Sequence, residues 1–176
     1  MNLTRLERYR LANQLRILEA LYPDEAEDYA IQREALERGY EFNYSMRTDH
    51  LDADVMTEDE CKEVWNTMDM FVSIGRSIEE LKLEGLEDKL FTKFAGYDGN
   101  NETKFMAFAA YTVERLKRFT HLPMQEPGYF NSHMPVRPVY GRMLSKWLEI
   151  PMPNRFDMGR DALLAVLQEA IHPENR

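Results

Sequence analysis

Two histidines, His121 and His133, stand twelve residues apart with Glu126 between them. Two imidazoles and one carboxylate are a donor set that transition metals accept. The same stretch carries three guanidinium groups, Arg118, Arg137 and Arg142, whose planar forks match a carboxylate or phosphate where two or more converge. Tyr129, Phe130, Tyr140 and Trp147 would give such a site the apolar walls that small-molecule pockets have. From Arg115 to Lys146 there are six bases and a single acid, Glu126, so a small anionic ligand is expected to bind there. The candidate ligand-binding residues are Arg118, His121, Asn131, Arg137, Tyr140 and Arg142. The arginine chemistry is preferred to the metal, because a histidine near a helix end commonly serves to cap exposed carbonyls. A structural reading competes with both: a long irregular segment leaves many backbone groups to pair, and asparagine or arginine pairs them well.

Other chemistry is poorly supported. No His-Glu-x-x-His zinc helix, phosphate loop, dinucleotide glycine pattern or Gly-x-Ser-x-Gly elbow occurs. Asp52, Asp54 and Glu63 fall at the first, third and twelfth positions of a calcium loop, but Met56 and Thr57 stand where a ligand and the turn glycine belong. Cys61 is the one cysteine, which rules out an intramolecular disulfide and makes a small buried hydrophobe the default reading. A hydrolase using His121 with Glu126 or Glu114 lacks any nucleophile-base spacing. No catalytic residue, metal or cofactor is therefore assigned, and the balance leans away from an enzyme.

The elements that must position these residues are helical. Thr4 suits an N-cap, and Leu6, Leu11, Leu15, Leu18 and Leu21 roughly follow one helical face until Pro23 stops it. A second helix is expected from about Asp24 to Arg38, with Gly39 as its left-handed terminator, so that the two form an antiparallel hairpin. Tyr40 to Met46 alternates like a strand but finds no partner strand, which favours another helical turn. Thr57-Glu-Asp-Glu60 is a capping box opening a helix whose Cys61, Val64, Trp65, Met68, Phe71, Val72, Ile78 and Leu81 make one broad apolar face. Such a helix is either central to a bundle or part of an oligomer interface. Residues 82–93 are weakly patterned. A turn at Phe94 to Asn101 precedes a helix from about Glu102 to Phe119, with Phe105, Phe108 or Ala109, Thr112, Leu116 and Phe119 inward. The proline-punctuated loop comes next, then a helix from near Val136 or Pro138 to about Glu149, and a last one that Asp157 can cap.

With 176 residues, 44% hydrophobic and 30% charged, the chain fits one globular domain. The expected architecture is an all-α, single-domain bundle (residues 1–176) of about six to eight helices, with a long ordered loop between the fifth and sixth. Neither a signal peptide nor an apolar run of the roughly 20 residues a bilayer requires is present, so a cytoplasmic location without membrane contact is expected. Residues 1–90 hold 22 acids against 11 bases, part of a net charge of −9. That charge repels a phosphate backbone, and direct nucleic-acid binding is not expected.

Several short patterns point further. Leu11-Ala-Asn13-Gln14, Glu37-Arg-Gly-Tyr40, Phe94-x-Gly-Tyr-Asp98, Arg118-x-Thr-His121, Phe130-Asn131 and Pro135-x-x-x-x-Tyr140-x-Arg-Met-Leu-x-x-Trp147 together resemble the YfbU-domain family of uncharacterised bacterial and archaeal proteins. The resemblance runs from roughly Leu3 to Leu164. It implies an all-helical fold, self-association into a homo-oligomer, and a ligand-binding role, since some relatives resemble fusions to a DNA-binding segment; this chain is expected to lack room for one. No catalytic residue is established for the family. The resulting expectation is a helical binding module that senses or sequesters a small anion through residues 118–147. The alternative is a protein-interaction or scaffold role for the acidic N-terminal half and the 57–81 helix.

Overall fold

The computed structural model describes residues 2–51, 54–83, 85–86, 91–172 and 174, and it is all-helical, with seven α-helices and no named strand among them. Asp52 of the rejected calcium pattern, together with Glu84 and residues 87–90 of the weakly patterned segment, lies outside the described residues. The chain forms two compact units, Met1–Val55 and Met56–Arg176.

The first unit is a helical hairpin with a short third helix. Helix α1 (Arg5–Leu21) opens on a capping box: the Thr4 hydroxyl accepts the Glu7 amide at 3.3 Å, and the Glu7 carboxylate accepts the Thr4 amide at 2.7 Å. Two of the amides left free at a helix start are thereby satisfied. Helix α2 (Ala26–Arg38) begins after a single 3-10 turn at Pro23–Glu25, slightly later than the sequence suggests, and ends at Gly39 with φ +77°. Antiparallel pairing is visible in two ion pairs, Arg16 with Glu37 at 2.8 Å and Glu19 with Arg33 at 2.6 Å, which ascend one helix as they descend the other. Helix α3 (Glu41–Met46) takes up the ambiguous aromatic segment as helix. The core of this unit is small: Ala12, Leu36 and Tyr44, with Leu3, Leu11 and Leu15 partly buried beside them.

The second unit is built on α4 (Glu58–Glu80), capped by Thr57 and Glu60 as the sequence predicts. This helix packs on α5 (Thr103–Ala110), α6 (Arg137–Leu148) and α7 (Arg160–Gln168). Of the two roles open to its broad apolar face, it takes the central one: Val64, Met68, Met70, Phe71 and Ile74 are fully buried. Cys61 lies on this helix but is only half-buried. Serines on the buried face are tolerated because each has a partner. Ser73 donates to the Arg155 carbonyl at 2.6 Å, and Ser77 accepts the Met158 amide at 3.2 Å.

Two boundaries differ from the sequence reading. The fifth helix does not run regularly to Phe119. At Tyr111–Arg115 it widens, the Leu116 amide reaching back five residues to the Tyr111 carbonyl at 3.0 Å. A widened turn inserts a residue and rotates the side chains beyond it, which leaves Leu116 44% exposed rather than inward. Lys117, at φ +55°, then ends the helix, with the Arg118 amide donating to the Thr112 carbonyl, a terminus usually built with glycine. Likewise Gly159, not Asp157, is the N-cap of α7, because Asp157 closes a preceding 3-10 turn whose exit Ser77 holds.

Candidate functional site

The loop between α5 and α6 is zipped to residues 94–101. Phe94 donates its amide to the Pro123 carbonyl (2.7 Å) and accepts from Gln125 (2.9 Å); Tyr97 donates to Phe130 (2.9 Å) and accepts from Ser132 (3.1 Å). These exchanges form two isolated parallel bridges, Phe94 with Met124 and Tyr97 with Asn131. They satisfy the backbone groups that an irregular loop would otherwise leave unpaired. Gly96, at φ +84°, lies against the loop so closely that a β-carbon there would sit 2.0 Å from the Phe130 carbonyl oxygen.

The candidate residues occupy distinct places on this frame. Asn131 is half-buried, and its carbonyl oxygen accepts the Gly99 amide at 3.0 Å and the His133 amide at 2.9 Å. Tyr140 is 1% exposed within a cluster of Phe71, Phe94 and Tyr97 rings, with centroids 5.0 to 5.9 Å from its own. Its hydroxyl accepts the Ala95 amide at 3.0 Å, and burial pushes that hydroxyl above the usual tyrosine range. Arg137 forms a two-pronged pair with Glu63 at 2.6 and 2.8 Å, and its guanidinium carbon stands 4.0 Å from the centroid of the Phe105 ring. Hydrogen bonding to Glu63 raises its pKa further. Arg142 spans the end of α7, donating to the carbonyls of Glu169 (3.0 Å), Ala170 (3.4 Å) and Pro138 (3.2 Å). Arg118 and His121 are exposed at the other end of the loop. The structure thus gives the forks of Arg137 and Arg142 different protein partners, and Tyr140 and Asn131 backbone amides. Among the described residues no three His, Cys, Asp or Glu side chains group closely enough to hold a metal ion. His133 instead adopts φ +57° and shares a 2.9 Å hydrogen bond with the Tyr129 hydroxyl.

The centre of this frame is a residue that no sequence motif marks. Glu102 is 7% exposed, and its carboxylate accepts the Arg137 amide at 2.8 Å, the Val136 amide at 3.3 Å and the Asp98 amide at 3.0 Å. A buried anion therefore caps α6 from another element, where the helix dipole favours negative charge. The available signal is the Asp98-to-Asn101 turn, which marks Glu102 as the residue leading into α5. Asp98 is itself held below the usual carboxylate range by hydrogen bonds from the Asn101 side chain and the Asn100 amide.

The likeness to known proteins extends over nearly the whole chain. A family model described as the YfbU domain covers residues 1–169. The chain belongs to the YfbU domain family. It is also 31% identical over 172 residues to the UPF0304 protein MJECS11 of Methanocaldococcus jannaschii, an alignment spanning 94% of this chain and 98% of that protein. No described helix of this YfbU domain is long and apolar enough to cross a membrane.

The Tyr97 hydroxyl in the YfbU core is buried with no hydrogen-bond partner among the described residues. Thr67, beside it, directs its own hydroxyl to the Glu63 carbonyl at 2.7 Å. Removing an unsatisfied buried donor costs nothing in hydrogen bonding, so Tyr97→Phe should raise stability by about 1 kcal/mol in urea denaturation. A loss of stability would mean that the hydroxyl has a partner in solution.

Proposed function

We propose that this YfbU domain is a protein-interaction module whose N-terminal hairpin unit is the docking element. One observation carries the reading. Among the described residues of the Met1–Val55 unit, eleven large apolar side chains are exposed, including Leu6, Tyr9, Ile17, Leu21 and Phe42, against four buried apolar residues, Ala12, Ala35, Leu36 and Tyr44. Isolated exposed apolar residues are ordinary, but a unit whose exposed apolar side chains outnumber its core marks an interaction surface. The expected homo-oligomer belongs with this reading. The 57–81 helix is less favoured as the docking element, since Val64, Met68, Met70, Phe71 and Ile74 of its apolar face are core, with Trp65 and Leu81 exposed.

A photo-crosslinking residue placed at Phe42 or Ile17 in cells tests the proposal. Adducts of higher mass should form from these sites and not from the exposed Lys93 of the other unit. Absence of adducts from both sites would overturn it.

Anion binding by residues 118–147 stands as a second reading on a narrower basis. Arg118 and His121 are exposed beside Arg115 and Lys117, and neither side chain has a partner among the described residues. A thermal-shift titration with inorganic phosphate and citrate separates the roles of the arginines. Arg118→Ala should leave the melting temperature unchanged without anion and abolish any anion-induced rise. Arg142→Ala should lose about 2 kcal/mol with or without anion, because the carbonyls of Glu169 and Ala170 at the end of α7 lose this donor. If Arg118→Ala keeps the anion response, this second reading falls.

A further inference from the structure

We infer that the Met56–Arg176 unit binds an aliphatic monocarboxylate, its hydrocarbon chain lying in a cleft at the end of α4 and its carboxylate held by Lys82 and Lys93.

The cleft encloses about 480 Å³, within the roughly 300–1,000 Å³ of small-molecule sites. It is lined by the final turns of α4, the turn that follows, Thr92, Lys93 and Pro123. From residues 118–147 the lining takes Pro123, not the arginines. Helix and loop meet closely here: a β-carbon on Gly75 would stand 2.9 Å from Cγ of Pro123. Pro123 is fixed in turn, because its carbonyl accepts the Phe94 amide at 2.7 Å. Walls tied in this way are in place before a ligand arrives, which lowers the ordering cost of binding.

The lining has an apolar part and a charged part. Ile78, Leu83 and Pro123 offer hydrocarbon surface, which gains by covering methylene groups and gains nothing from a hydrated ion. Lys82 and Lys93 line the same cleft with one acid, Glu79, so two bases against one acid leave a local balance of +1. That balance suits a single negative charge. A phosphate monoester, at about −2, would instead add to the net −9 of the chain. Both lysines are exposed, and neither side chain has an ion pair among the described residues. An ammonium acts as a point charge and needs no paired geometry from its anion, unlike an arginine fork.

The backbone at Lys82 is costly for the side chain it carries. Helix α4 closes with the Leu83 amide donating to the Ile78 carbonyl and the Lys82 amide to the Glu79 carbonyl, both at 3.2 Å. This is the left-handed terminus whose pivotal residue is usually glycine. Here that residue is Lys82, at φ +49°, which sacrifices stability that glycine would keep. Strain of this kind collects at functional sites. The same turn places Leu83 where its side chain meets Ile78, so it supplies an ammonium and part of the apolar lining together. Its two closing bonds also occupy helix-end carbonyls that would otherwise oppose a carboxylate.

Titration of the isotopically labelled full chain with sodium octanoate, followed by amide correlation spectra, tests the inference. Saturable shifts with half-saturation below about 1 mM should appear at Gly75, Lys82 and Lys93, and equal concentrations of acetate or octylammonium should not reproduce them. Lys82→Gly should weaken octanoate binding about threefold while unfolding at the same or a higher temperature, since glycine relieves the left-handed strain. A purely structural role for Lys82 would leave the affinity unchanged. Lys82→Gly/Lys93→Glu should weaken binding at least about tenfold. If Lys82→Gly does not fold, Lys93→Glu alone decides, with an expected loss of about threefold or more. No saturable shift, equal binding of acetate or octylammonium, shifts centred on Arg118 and His121, or wild-type affinity in the lysine variants would overturn the inference.

Discussion

Gly96→Ala should destabilise the Met56–Arg176 unit by about 4 kcal/mol, the largest effect expected of any single methyl in this chain. Two costs combine. The backbone at Gly96 has φ +84°, a conformation L side chains rarely adopt. In addition, the new β-carbon would sit 2.0 Å from the Phe130 oxygen and 2.8 Å from its α-carbon, so the loop must move away. That oxygen accepts the Tyr97 amide at 2.9 Å, and displacing it breaks the second of the two bridges holding the loop. At about 2–4 °C per kcal/mol for a chain of this size, thermal unfolding should fall by roughly 10 °C. Gly128→Ala is the control: its φ is +76° but a β-carbon would meet nothing within 4 Å, so only the backbone cost of about 1 kcal/mol should appear. Equal losses in the two variants would show that the loop is not clamped at Gly96.

Glu102→Ala should cost about 3 kcal/mol in denaturant unfolding. Its carboxylate satisfies three amides, those of Asp98, Val136 and Arg137, and the first two belong to residues at most 2% exposed. Alanine leaves those donors buried without acceptors, at about 1–3 kcal/mol each when not relieved by water or movement. It also removes the negative charge from the start of α6. Glu102→Gln should fall between, at about 2 kcal/mol, since the amide retains one acceptor oxygen but introduces a second donor among donors. Amide hydrogen exchange locates the effect: Val136 and Arg137 should lose protection in Glu102→Ala before the middle of α4 does. Unchanged exchange at these two amides would show that the carboxylate is not the cap of α6.

Both residues bear on how the 118–147 stretch is to be understood. Its basic and aromatic composition suggests a pocket, yet Arg137 faces Glu63, Arg142 faces helix-end carbonyls, and Tyr140 receives an amide hydrogen within the aromatic core. The charge balance of the segment is correct as arithmetic, but it cannot report that an acid 74 residues earlier neutralises one of the arginines. The contribution of Glu102 is hidden for the same reason: a glutamate after an Asp-Gly-Asn-Asn turn reads as a helix start, and nothing local says it also caps a helix 35 residues on. Partners so distant in sequence leave no periodicity in either segment.

What the sequence determined by itself is local. The Thr57 capping box, the stop at Pro23, the left-handed Gly39, the helical reading of residues 40–46 and the apolar breadth of α4 all depend on contacts within about one helical turn, and each is present in the structure. The patterns that resemble the YfbU domain were legible for a related reason, because short runs in fixed order survive as text. Only the tertiary structure decided which faces are covered. It buried Met70 and the α4 face, widened the end of α5 so that Leu116 turned outward, committed two of three arginine forks to protein partners, and left Leu6, Tyr9, Ile17 and Leu21 exposed. A leucine or arginine has the same letter whether its partner is a distant residue, solvent or a second molecule, and packing alone distinguishes them.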